Sequence, residues 1–138
     1  MEQITCICTA LRLAALSATE RYDAHLAPSG LKVTMFRLLS LASKADEPTI
    51  TSLARILGLE RSTVGRNLKV LERQGLIALK GGTDERAKFI DVTPKGLTAI
   101  EAAQPLWQAA QNEMRQALGE EDADALLRLA RGLTRQTD

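Results

Sequence analysis

The tightest constraint in the sequence is the stretch 49–75, where two short amphipathic runs are separated by a single glycine hinge. Thr49 is placed to cap a helix that carries Ile50, Leu53, Ala54 and Leu57 on one face. Gly58 stands where a left-handed C-cap is usual. A second helix is expected over 61–74, closed by Gly75. Two helices joined by so small a turn cross at a large angle, which is the helix-turn-helix layout. On the second helix Val64, Leu68 and Leu71 share the core face, and Ser62, Arg66, Lys69 and Arg73 lie opposite, with Thr63 and Gly65 flanking them. Any solvated face is polar. This one carries three cations and no anion, begins with two hydroxyl residues, and is preceded by Arg61. That is the equipment of a helix that meets bases and phosphates in the major groove.

Punctuation on either side sets out the remaining elements. A helix is expected over about 4–26, with Ile4, Cys8, Leu11, Ala15, Ala18 and Tyr22 on one stripe, ended by Ala27-Pro28-Ser29-Gly30. Thr34 is the expected N-cap of the next helix, whose apolar residues are Met35, Leu38, Leu39, Leu41 and Ala42, and Asp46-Glu47-Pro48 closes it. Strands are expected over 77–80 and 88–92, joined by a turn containing Gly81-Gly82. Thr93-Pro94 then starts a long helix over 94–118, with Thr as cap and Pro in the first position. It is about 37 Å long at 1.5 Å per residue. Ile100, Ala103, Trp107, Ala110, Met114 and Ala117 form a seam suited to another long helix, and Pro105 predicts a kink. Gly119 ends it. Glu120, Glu121 and Asp122 start a last helix that is apolar at Leu126, Leu127, Ala130 and Leu133. The expected fold class is therefore mainly α with a small β-hairpin wing (α+β).

Composition sharpens the functional reading. The chain has 138 residues, enough for one domain with a real core, and its formal net charge is only +1. That near-neutral total argues against a nucleic-acid partner until it is divided along the chain. Residues 1–48 carry net 0, residues 49–96 net +4 and residues 97–138 net −3. A positive middle between neutral and acidic ends fits a nucleic-acid-binding lobe on an unrelated scaffold. One His cannot build a multi-His metal site, and two Cys alone cannot build a structural zinc site. No motif asks for a cofactor. No run is apolar enough for a membrane helix and no signal-peptide pattern opens the chain, so a cytoplasmic protein is expected.

The ordered set Leu53-Ala54, Leu57-Gly58, Ser62-Thr63-Val64, Arg66, Leu71-Glu72, Gly75-Leu76-Ile77, Asp84-Glu85-Arg86 and Val92-Thr93-Pro94-Lys95-Gly96 resembles the MarR family of bacterial transcription regulators. The match covers the whole chain in element order and residues 49–96 at the level of motifs. The resemblance implies a single MarR-type chain, 1–138, with a winged helix-turn-helix DNA-binding lobe over 34–96. Dimerisation helices would lie over 1–30 and 97–138. It implies a homodimer on a pseudo-palindromic duplex operator, usually a repressor released by a small-molecule inducer or an oxidant. It places Arg86 in the minor groove and Asp84 as the residue that orients it. One departure is Glu60, in a slot where a better capping residue usually stands, so the helix start is expected to shift by a residue.

Cys6 and Cys8 are the only thiols. Some oxidant sensors of the MarR family pair a reactive Cys near the start of the first helix with a Tyr, which Cys8 and Tyr22 resemble. Arg12 and Met35 depart from that pattern. Other sensors of the family use a Cys-x-Cys pair, which Cys6-Ile7-Cys8 resembles more closely. Against both stands the ordinary case of cysteine as a small hydrophobe. His25, Phe36 and Trp107 are candidates to line a ligand pocket, and each is equally a core or surface residue. Two rival functions remain open at this point. One is a winged-helix protein-interaction module without DNA binding, against which the cationic face speaks. The other is a thiol enzyme, for which Cys8 has no base nearby in sequence.

Overall fold

A computed structural model of the protein describes residues 3–81 and 88–134. Six helices and one hairpin follow in the order α1 (Ile7–Leu26), a 3-10 turn over 27–29, α2 (Val33–Lys44), α3 (Ile50–Leu57), α4 (Arg61–Arg73), β1 (Ile77–Gly81), β2 (Lys88–Val92), α5 (Pro94–Leu118) and α6 (Glu120–Thr134). The fold class is the expected one. The strands pair antiparallel, with Ile77 opposite Val92, Leu79 opposite Ile90 and Gly81 opposite Lys88. The Ile90 amide donates to the Pro48 carbonyl at 2.8 Å, so the segment before α3 lines the outer edge of β2. Phe36, Leu38, Leu39, Leu53, Val64, Leu71 and Ile90 are buried together where α2, α3, α4 and the hairpin meet, and Leu26 of α1 and Ala103 of α5 close this core.

Two helix starts differ from expectation for physical reasons. α2 begins at Val33, with Lys32 and not Thr34 as its N-cap, and Lys32 makes no capping bond; instead the Val33 amide donates to Asp23 Oδ1 of α1 at 2.8 Å. The cap comes from another element. α1 begins at Ile7, with Cys6 as its extended N-cap and Ile4 outside the helix. α5 runs through Pro105 as one helix.

The start of α5 ties the end of α4 to the long helices. Thr93 Oγ1 accepts from the Gly96 amide at 3.0 Å and donates to the Gly75 carbonyl at 2.7 Å. The Thr93 amide donates to the Leu76 carbonyl at 3.0 Å, and Lys95 Nζ donates to the Gln74 carbonyl at 2.8 Å. Three of these hydrogen bonds, from the Thr93 hydroxyl, the Thr93 amide and Lys95 Nζ, clamp the end of α4 to the first turn of α5, and the fourth caps α5 itself. Thr93→Val removes the cap and leaves the Gly75 carbonyl without this donor, which is expected to cost about 1–2 kcal/mol. Urea unfolding checks this: the midpoint falls while the slope stays unchanged.

Farther along, α1 and α5 are fastened by polar pairs. The Tyr22 hydroxyl donates to Gln111 Oε1, and His25 Nε2 lies 2.5 Å from Glu113 Oε2. Burial pushes the Tyr22 hydroxyl pKa up, with Arg115 opposing. Arg115 bonds Asp124 at 3.1 Å and Glu120 at 2.7 Å, which fixes the fold-back of α6 at Gly119 and raises the guanidinium pKa further. Phe36 is buried and packs on the half-buried Trp107 with ring centroids 6.0 Å apart. His25 is spent on Glu113.

Candidate DNA-binding site

The site grows out of two helix termini. At the start of α3, Thr49 Oγ1 accepts from the Ser52 amide at 3.1 Å while Ser52 Oγ accepts from the Thr49 amide at 2.9 Å. This reciprocal box satisfies two otherwise unpaired donors. At its end Gly58 adopts φ 65° and ψ 34°, the left-handed region, and the Leu59 amide donates back to the Ala54 carbonyl at 2.9 Å. A residue with a Cβ is strained there, so the hinge needs its glycine.

α4 then leaves the turn at Arg61. Glu60 is its N-cap and makes no side-chain capping bond, and the expected one-residue shift does not occur. The first amides of α4 consequently have no side-chain partner from the cap, at the end of a helix that favours anions. Val64, Leu68 and Leu71 are buried. Arg61, Ser62, Arg66, Lys69 and Arg73 are exposed, and Thr63 and Gly65 are half-buried beside them. The Arg66 guanidinium donates to Thr63 Oγ1 at 3.4 Å and the Asn67 side-chain amide donates to the Thr63 carbonyl at 3.1 Å. None of the four cations forms an ion pair with a described residue. A row of uncompensated cations on a projecting helix is built to meet a polyanion.

Known structures decide the relationship. The sequence profile of the MarR family matches residues 29–87. The chain is similar to the transcriptional regulator MosR of M. tuberculosis, solved in a complex with DNA, at 37% identity over 96% of each chain and a TM-score of 0.83. The chain belongs to the MarR family. More distant members share the fold. CouR of Rhodococcus jostii RHA1, bound to p-coumaroyl-CoA, is 22% identical with a TM-score of 0.77 over 93% of this chain and 91% of that one. S. aureus MepR, solved with DNA, is 22% identical with a TM-score of 0.77 over 96% of this chain and 99% of that one. Comparison with curated protein sequences gives no match.

In this MarR chain the α4 residues named from the sequence as DNA contacts are all exposed or half-buried, away from the buried Val64, Leu68 and Leu71. Asp84 and Arg86 lie outside the described residues. Cys8 and Tyr22 are not brought together: fourteen positions along α1 separate them by about 21 Å, and the Tyr22 hydroxyl is bonded to Gln111. Cys6 and Cys8 are both exposed free thiols that straddle the helix start. Cys6 is the more acidic than an ordinary thiol, through hydrogen bonds from the Thr9 side chain and from the Thr9 and Cys8 amides. Sequence reasoning missed two features, the Thr93–Lys95 clamp as a functional part and Lys88 on the inner face of the hairpin. Strand alternation could have found Lys88, once the register was known. Among the described residues no cluster of His, Cys, Asp and Glu gathers as a metal site, and no helix is long and apolar enough to cross a membrane.

Proposed function

We propose that this MarR-family regulator binds a pseudo-palindromic duplex operator as a homodimer in the cytoplasm and represses transcription until an inducer releases it. The observation that carries the reading is the outer face of α4, where Arg61, Arg66, Lys69 and Arg73 stand exposed and without an ion pair to any described residue. Ser62, Thr63, Arg66 and Lys69 read the major groove, Arg73 holds a phosphate, and Arg86, oriented by Asp84, enters the minor groove. Duplexes selected from a random-sequence pool by the full-length protein provide the test. Arg66→Ala is expected to weaken the selected duplex about tenfold or more and to relax one position of its sequence. Equal affinity of wild type for selected and unselected duplexes contradicts sequence reading.

The inducer we favour is an oxidant, and the acidic, exposed Cys6 is the observation behind it. The Cys6 thiolate attacks a hydroperoxide, takes its outer oxygen and releases an alkoxide that picks up a proton. Cys8 then displaces water from the sulfenic acid, giving a Cys6–Cys8 disulfide. Cys8 sits in the first turn of α1, so that bond requires the turn to unwind. In a Cys8→Ser variant, the pH midpoint for alkylation of Cys6 is expected below that of an unfolded peptide of the same sequence. An equal midpoint removes the activated thiol. Peroxide that leaves wild type on its DNA removes redox release.

A further inference from the structure

Between α4 and the hairpin runs a groove that no described residue fills. Its floor is apolar, made by Ile50 of α3, Leu68 of α4 and Leu79 of β1; Gly65 opens one wall, and Lys69 and Lys88 stand on opposite rims. The register explains how Lys88 reaches it. Lys88 lies opposite Gly81 and shares a face with Ile90 and Leu79, toward α4, whereas Lys80 lies on the other face and is paired with Asp91 at 2.9 Å. The hairpin therefore turns one lysine outward and neutralises it, and turns the other inward without an ion pair to any described residue.

The glycine is informative too. Gly65 lies in the interior of α4, where glycine is unfavourable relative to alanine. A Cβ built there meets nothing within 4 Å. No described residue accounts for the missing Cβ, and the free space suits an occupant that comes from outside. The groove is about 60 Å³, far below the roughly 300 Å³ at which organic-ligand pockets begin. It is shaped for a narrow, extended occupant that is anionic on its edges and apolar between them. A deoxyribose-phosphate strand has that alternation.

We infer that this groove seats one strand of the duplex as it passes from the groove read by α4 to the groove reached by the wing. Lys88 holds a phosphate on the hairpin rim, across from Lys69 at the edge of the major groove, and Gly65 admits the sugar. The inference rests on the DNA-binding reading above and adds Lys88 as a positioning residue and Gly65 as a close-approach point. Phosphate contacts fix register without reading sequence.

The test uses the full-length protein with a selected duplex and an unselected duplex of mixed sequence. Lys88→Gln is expected to weaken both duplexes by a similar factor, about three- to tenfold, and to lower the slope of log affinity against log salt by about one. Gly65→Ala is expected to raise the melting temperature while weakening DNA binding at least fivefold. Opposite signs exclude misfolding as the cause. An unchanged salt slope in Lys88→Gln, or a stabilised Gly65→Ala protein with full affinity, overturns the inference while leaving the DNA-binding reading in place. If wild type binds neither duplex, that reading falls and this one with it.

Discussion

Gly96→Ala is expected to lower the unfolding free energy by about 3 kcal/mol, at the upper end of overpacking effects, and the melting temperature by roughly 10 °C at equal protein concentration. A Cβ at this position would lie 2.2 Å from the Leu76 carbonyl oxygen and 2.7 Å from a Val92 methyl. The first contact is with backbone that cannot rotate away. That same carbonyl accepts the Thr93 amide, so relieving the clash pulls apart the clamp between α4 and α5. Stability is typically only about 5–15 kcal/mol, so the loss is a large fraction of it. DNA binding is expected to suffer beyond the effect on stability, because the clamp sets the angle at which α4 leaves the long helices. Calorimetry with and without a selected duplex separates the two effects. A melting temperature within about 2 °C of wild type contradicts the close packing that makes glycine necessary here.

Leu129→Glu should convert a dimer into a monomer. The stripe expected on α1 is covered only at Ala18 and Tyr22, and its other members, Ile4, Cys8, Leu11 and Ala15, are exposed in the isolated chain. Ile7 is 78% exposed, and on α6 Leu129 and Leu133 are 59% and 65% exposed. Leu126, Leu129 and Leu133 recur at steps of three and four on one side of α6. Apolar surface of this extent on two neighbouring termini fits an obligate interface with a second copy. A carboxylate at Leu129 would be buried there without a partner. Sedimentation at micromolar concentration is expected to show the monomer, with helical content unchanged. Affinity for a two-half-site duplex is expected to fall about a hundredfold or more, because the second lobe is no longer tethered beside the first. A variant that remains dimeric moves the interface elsewhere.

Elements with local signals were legible in the sequence. Thr49, Gly58, Thr93-Pro94 and Gly119 each mark a helix boundary by their own chemistry, and the structure has a boundary at each. The reading face of α4 was legible because a 3.6-residue period places Arg66, Lys69 and Arg73 together without help from the rest of the chain. Where a partner comes from elsewhere, the sequence was silent. α2 takes its cap from Asp23 ten residues upstream, so Thr34 was the wrong local choice. Tyr22 and His25 find Gln111 and Glu113 across the fold, partners that no local pattern announces. Cys6 lies just outside α1, and only the structure shows that the thiol pair straddles the helix start. Lys88 acquires its meaning from strand register, which a hairpin of unknown turn leaves open. The segment charges carry through: the +4 of residues 49–96 includes the exposed cations of α4, and the acidic −3 segment forms α5 and α6.

The central claim is that two copies of α4 read two half-sites on one face of a duplex. Hydroxyl-radical footprinting of a selected duplex with the full-length protein tests it most directly. Two matched protections are expected, with centres about one helical turn apart, roughly 34–36 Å, and both vanish together in Leu129→Glu. A single protection, or two that persist in a proven monomer, contradicts it.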